Sequence, residues 1–209
     1  MKKNGSVMYS ALIVGLLSIG VSDFSFAQTS RAGIKGGLNV SKLYINDASD
    51  ENARYGFNVG VFGQPLSTEA FAVQLELLYS TKGSEAHYNG LFSQDVSYNL
   101  NYLELPVLAV IKLGEDAELH AGAYASYLLN ANIAYQGLVN GTQEIDKGNL
   151  KSMDYGLIGG MGLNLGNVQI GARFSYGLVK IADSTNAQLL LGDSKNICAT
   201  IYAAINLSK

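Results

Sequence analysis

Apolar side chains alternate with glycine, serine, amides and occasional charges through eight successive runs of this chain. A period of two marks a strand whose two faces meet different surroundings. The pattern predicts strands over Ala32–Lys42, Arg54–Pro65, Ala70–Thr81, Ser97–Leu113, Ala117–Asn130, Lys151–Leu165, Val168–Ile181 and Lys195–Leu207. The segments between them alternate in length. Long polar ones fall at Leu43–Ala53, Gly83–Asp95, Ala131–Leu150 and Ala182–Ser194, and tight ones at Leu66–Glu69, Gly114–Asp116 and Gly166–Asn167. Strict alternation of long and short connections predicts antiparallel strands in up-and-down order, with both chain ends on the tight-turn side.

The two faces differ in kind. In the third run Phe71, Val73, Leu75, Leu77 and Tyr79 oppose Ala72, Gln74, Glu76, Leu78 and Ser80. In the seventh, Val168, Ile170, Ala172, Phe174 and Tyr176 oppose Gln169, Gly171, Arg173, Ser175 and Gly177. A soluble barrel would cover its second face with lysine and glutamate. Here that face is chiefly glycine, serine and amide, which suits a narrow lumen where small residues leave room for a few large polar ones. The apolar face then meets lipid. Tyr44, Tyr55, Tyr79, Tyr127, Tyr155 and Tyr176 all belong to the apolar face, each at the strand end beside a long connection. Counting back to the tight-turn end gives eight to ten residues in five of these strands, close to the ~9–11 of a tilted membrane strand. A ring with an apolar body and a polar tip collects at a membrane interface, so these six predict an aromatic girdle.

Composition strengthens the reading. Lys2 and Lys3 precede a short apolar run, Ala11–Val21, and Ser25-Phe26-Ala27 follows as a small-x-small cleavage site. Residues 1–27 are therefore expected to be a secretory signal peptide and 28–209 a single mature domain. Two lysines and Asp23 leave with the signal, so the mature chain has 12 Lys+Arg against 16 Asp+Glu, a net charge of −4. No basic stripe invites nucleic acid. Charged residues are 15% of the chain, below the roughly 25% of a soluble domain, too few to coat a water-facing surface. The lone Cys198 excludes an internal disulfide and a thiolate metal cluster.

Few residues invite chemistry. Lys35, Glu76, Glu104 and Arg173 are the charges that fall mid-strand on the inward set, with Glu76 and Arg173 at one depth, five residues from their tight-turn ends. They are expected to form a structural polar network in the lumen, since a buried charge is held only when paired. Glu76 and Glu104 as an acid–base pair lack a visible third partner. His87, with Ser84, Glu85 or Ser93, is the weaker alternative of a hydrolase acting on lipid or peptide at the outer rim. His120 lies inward at the tight-turn end, away from that rim. Gly159-Gly160-Met161-Gly162 lacks a Walker lysine and a following helix, and no cofactor or metal is expected. Surface loops on a rigid scaffold usually carry function. A protein or small-molecule partner is therefore expected at residues 83–95 and 131–150, which hold Tyr88, Phe92, Asp95, Tyr135, Glu144 and Asp146.

Three stretches are recognisable together: Gln74-Leu75-Glu76-Leu77-Leu78-Tyr79-Ser80, Tyr102-Leu103-Glu104-Leu105-Pro106-Val107 and Gly171-Ala172-Arg173-Phe174-Ser175-Tyr176-Gly177. With the opening Gly36-Gly37-Leu38-Asn39 they resemble the PorT-like outer-membrane β-barrel domain of Bacteroidetes, over essentially the whole mature chain. The resemblance implies fold and compartment. The namesake's link to protein secretion is not encoded in these motifs. The chain ends Leu207-Ser208-Lys209, without the terminal aromatic of many such barrels. The expectation is an all-β protein, an eight-stranded antiparallel up-and-down transmembrane β-barrel in the outer membrane of a Gram-negative bacterium, in contact with outer-membrane lipid. Eight strands enclose an interior filled by side chains, so a structural or interaction role leads, with the outer-rim hydrolase and a soluble periplasmic ligand-binding barrel as alternatives.

Overall fold

The computed structural model describes residues 31–44, 51–89, 93–137, 141–144, 150–181 and 194–208. Its strands are β1 (Ala32–Tyr44), β2 (Glu51–Ser67), β3 (Phe71–Asn89), β4 (Ser93–Leu113), β5 (Ala117–Gly137), β6 (Gly141–Glu144), β7 (Met153–Leu165), β8 (Val168–Gly177) and β9 (Lys195–Asn206). Eight of them form one closed antiparallel sheet in the order β1-β2-β3-β4-β5-β7-β8-β9, sealed where β9 pairs with β1. The short β6 adds to the outer part of β5. Closure leaves no backbone edge within the lipid, which is the condition for crossing it.

The register fixes the shape. Stepping across the ladder from Ala32 passes through Gly63, Leu75, Val107, Ala123, Leu157, Tyr176 and Ile197, and returns to β1 at Lys42. Eight strands with a ten-residue offset tilt by about 40° and hold the backbone about 8 Å from the axis. The tight turns close at Gly114 and Gly166, whose φ values of 74° and 66° lie in the left-handed region that glycine enters without a Cβ clash. The third tight connection is narrower than the pattern predicts, because β2 runs on through Ser67 and Thr68 closes the corner on Phe71.

The long connections need correction. Residues 83–89 and 93–95 are strand and not loop: β3 continues to Asn89 and β4 begins at Ser93, with Asn89 paired to Ser93. Most of 131–150 is also strand, in the end of β5 and in β6. Residues 43–44 and 51–53 likewise extend β1 and β2. Beyond the membrane both faces of a strand meet water or partner strands. The two-residue hydrophobic period fades there while the hydrogen-bond ladder persists, and sequence periodicity reports burial rather than pairing. Residues 1–27 and 182–193 lie outside the described residues.

Candidate functional site

Alternation puts the greasy face outward. Phe71, Leu75, Ile170 and Phe174 are 43%, 46%, 43% and 52% exposed, while Glu76 and Arg173 are 3% and 8% exposed. An outward belt of leucine, isoleucine, valine and phenylalanine with polar side chains inside reverses a soluble core. Inside, small residues face large ones. A Cβ on Gly171 would lie 2.5 Å from the Tyr202 ring, and one on Gly160 would lie 2.7 Å from Arg173 Cγ.

The tight-turn half of the lumen holds a continuous ionic chain. Arg173 on β8 grips Glu76 on β3 through both guanidinium ends, Nη1–Oε2 at 2.7 Å and Nη2–Oε1 at 2.8 Å. Lys35 Nζ lies 3.2 Å from the same carboxylate, and Gln74 donates to it as well. The Tyr202 ring lies beneath both cations, 3.5 Å from Lys35 Nζ and 4.8 Å from Arg173 Cζ. Arg173 Nη2 donates to His120 Nδ1 at 3.1 Å, and His120 Nε2 donates to Glu118 at 3.3 Å. That pair of bonds selects the Nε2–H tautomer. Glu118 also takes Arg31 at 2.7 Å, Gln169 at 2.9 Å and Asn164 at 3.0 Å. The chain thus runs from the tight-turn mouth to mid-lumen.

A second cluster fills the outer half. Lys82 on β3 pairs with Glu104 on β4, and Ser126 Oγ donates to Glu104 at 3.1 Å. Tyr124 OH donates to Asp154 at 3.1 Å, and Asn196 donates to Asp154 at 2.8 Å. Lys82 Nζ sits 4.4 Å from the Tyr124 ring centre. Between the clusters Asn39 accepts from Asn58 at 2.7 Å and from Thr200 at 2.9 Å. A cavity of ≈ 20 Å³ bordered by Lys35, Lys82, Glu104 and Arg173 separates the two ionic groups, room for about one water. Arg173 Nε and Asn58 Oδ1, both without a hydrogen-bond partner among the described residues, also belong to its lining residues. The outer mouth is covered by apolar packing of Leu100, Tyr102, Leu128, Ala131, Leu150 and Ile181.

The structure therefore brings Lys35, Glu76 and Arg173 into contact and sets Glu104 apart with Lys82. Lys82 escaped the sequence reading because the third run was ended at Thr81, one residue short. Asp154 and Glu118 share the inward parity of their strands, and that parity alone would have found them. Tyr55, Tyr127 and Tyr155 are exposed on the outer face, and Tyr79 and Tyr176 are partly exposed there. The side chain of Tyr44 lies outside the described residues, as do those of Tyr88, Phe92, Asp95, Tyr135, Glu144 and Asp146. His87 is placed only by its backbone, on β3 opposite Asp95, so the outer-rim hydrolase gains no geometry. Past the tyrosines β3 runs ten residues to Asn89 and β5 ten residues to Gly137, with β4 paired between them.

The outer membrane protein beta-barrel domain family matches residues 26–183. No curated protein matches the sequence. Among solved structures the chain resembles Ail, the attachment invasion locus protein of Yersinia pestis, solved with the heparin analogue sucrose octasulfate. The identity is 14% and the TM-score 0.52, over 86% of this chain and 100% of that one. It also resembles Neisserial surface protein A, at 9% identity and a TM-score of 0.54, again over 86% of this chain and 100% of that one. At these identities the likeness is one of fold.

Proposed function

The chain belongs to the outer membrane protein beta-barrel domain family, and from that membership we propose that it is an interaction protein of the bacterial outer membrane. A closed eight-stranded barrel in that membrane leaves no place for the soluble periplasmic alternative. The observation that carries the proposal is the projecting sheet. β3, β4 and β5 continue beyond the tyrosines as one paired surface, and β6 lengthens it by a further strand. A ladder held outside the bilayer costs chain entropy that no lipid contact offsets, and a rigid outer platform is suited to a protein or small-molecule partner.

The remaining parts are read as support for that platform. The buried network of Lys35, Glu76 and Arg173, with Glu104 paired to Lys82, acts as a plug that stiffens the lumen instead of a solute path. Tyr44, Tyr55, Tyr79, Tyr127, Tyr155 and Tyr176 act as the girdle that sets the height of the barrel. Residues 1–27 act as the export signal, and residues 28–209 as the mature domain. The PorT-like motifs around Glu76, Glu104 and Arg173 support a finer kinship with the barrels of Bacteroidetes.

The test is crosslinking in living cells followed by capture on the barrel, compared with a variant whose residues 83–95 and 131–144 are cut back to tight turns. The proposal expects a partner that is captured by the intact barrel and lost with the shortened hairpins. Identical capture by both proteins, with both inserted in the outer membrane, contradicts it.

A further inference from the structure

The outward face of β4 and β5 changes character just above the lipid-facing belt. Leu103, Leu105 and Val107 on β4 face lipid, and the next two outward positions are Asn101 and Asn99. Their partners across the ladder are Asn130 and Asn132 on β5. Leu100, Tyr102, Leu128 and Ala131 pack inside the outer mouth, so by alternation the four asparagines point away from the lumen. Asn130 is exposed, and Asn99, Asn101 and Asn132 are half-exposed. Asn99 Nδ2 donates to Asn132 Oδ1 at 2.8 Å, and Asn101 Nδ2 donates to Asn130 Oδ1. The two bonded pairs sit two residues apart on one pair of strands, so the amides form a single patch of about 7 Å by 5 Å.

Asparagine needs a reason at these positions. It is depleted in strands, and its ordinary place is a turn. These four stand within strands, since β4 begins at Ser93 and β5 runs on to Gly137. Strand stability alone would favour threonine or valine there. A bulge lies at the base of the patch as well: Asn101 pairs with Asn130 and Tyr102 with Leu128, which leaves Leu129 as the extra residue. Bulges re-aim side chains and recur beside functional sites. Each cross-strand bond uses one N–H and one carbonyl lone pair, and among the described residues the four amides make no other side-chain bond. Most of their donors and acceptors are left for a ligand.

The height of the patch selects the ligand. Leu103 pairs with Tyr127, whose side chain is 52% exposed on the same face. Asn101 stands two residues beyond Leu103 and Asn99 four, which at this tilt is about 5 Å and about 10 Å along the membrane normal. The sideways drift of the first step is about 4 Å, less than one strand spacing, so the tyrosine and the amides lie under one ligand. Tyrosines mark the membrane interface, and the layer just above them is that of the lipid headgroups. An amide offers a donor and an acceptor side by side without formal charge, which matches adjacent hydroxyl groups on a sugar ring. A phosphate would call for arginine or lysine instead. The patch is continuous with the lipid-facing belt, so the sugar it meets is one carried by a lipid.

We propose that this patch binds the sugar headgroup of an outer-leaflet glycolipid, its hydroxyls on Asn99, Asn101, Asn130 and Asn132 and its lower edge against Tyr127. The acyl chains join the lipid around the belt and need no groove of their own. The binding is made of neutral hydrogen bonds, so it selects for sugar and not for charge. The inference does not rest on the role proposed for the projecting hairpins and stands if that role fails.

Native mass spectrometry of the purified, detergent-solubilised barrel tests it, with digalactosyl diacylglycerol and a diacylglycerol of the same chains offered together. Both lipids are uncharged, which keeps Lys151 out of the comparison; its strand end is bonded to β5 where Leu128 N–H donates to Ser152 O. The expected result is at least about tenfold preference for the glycolipid, the size of two neutral hydrogen bonds. The preference should be the same at about 50 mM and about 500 mM salt, because there is no charge to screen. The fourfold substitution Asn99→Val, Asn101→Val, Asn130→Val and Asn132→Val should bring it close to one. Valine favours strands, so this variant should unfold in urea no earlier than the unaltered barrel. Amides that only hold the two strands together would give the reverse, an earlier midpoint with the lipid preference intact. Equal retention of the two lipids by the unaltered barrel overturns the proposal. A preference that survives the substitution, or a variant that fails to fold, overturns it as well.

Discussion

Replacing Arg173 by methionine isolates the energy of the lumen network. Methionine keeps much of the arginine's aliphatic volume, so the change is mainly one of charge and hydrogen bonding. Arg173 supplies two charge-assisted bonds to Glu76 at 2.7 and 2.8 Å, one bond to His120, and a cation over the Tyr202 ring. Breaking a buried pair by removing one partner costs about 3–5 kcal/mol, because the other charge stays buried. Here Glu76 keeps Lys35 at 3.2 Å and Gln74, which places the expected loss at the lower end, about 3 kcal/mol. The double variant Arg173→Met with Glu76→Gln also takes the carboxylate away from buried Lys35 and should therefore be less stable than Arg173→Met alone. Urea unfolding of the refolded barrel in lipid vesicles, read by heat-modifiable gel mobility, gives the free energies. A loss below about 0.5 kcal/mol for Arg173→Met, the size of an ordinary surface change, would refute the argument that this pair carries buried charge. So would a double variant more stable than the single one.

Glu104→Gln strands Lys82 in the outer cluster and should cost about 3 kcal/mol by the same reasoning. Among the described residues Lys82 and Arg173 share no hydrogen-bond or ion-pair partner, so the Glu104 and Arg173 losses should add within about 0.5 kcal/mol in the same assay. Gly171→Ala drives a Cβ to 2.4 Å from the Met161 carbonyl oxygen and 2.5 Å from the Tyr202 ring and should destabilise by about 1–3 kcal/mol. A loss below about 0.5 kcal/mol would contradict the packing argument. Phe174→Arg places a charge in the lipid-facing belt and should cost about 2–4 kcal/mol in vesicles, a value near zero being the outcome expected of a water-facing site.

Much of the fold was legible because the bilayer writes a period of two into any strand that separates lipid from a packed lumen. Phe71, Leu75, Ile170 and Phe174 declared their face through that period. The equal depth of Glu76 and Arg173, counted from their turns, anticipated a contact between strands that are not neighbours. The outer extensions were not legible, because 83–89 and 131–137 pair through backbone groups common to every residue and face no lipid. The partner of Glu104 was not legible for a related reason. Parity says that it points inward, but only the register of β3 against β4 says that Lys82 is the cation within reach.

The central claim is the direction of the two faces, and accessibility at single cysteines tests it most directly. On a Cys198→Ser background, spin labels at positions 71, 75, 170 and 174 in vesicles should collide freely with oxygen and hardly at all with a water-soluble nickel chelate. Labels at 74 and 169 should be shielded from both reagents. Collision of the first four with the nickel chelate, or of the inner pair with oxygen at the level of the outer four, would contradict the account.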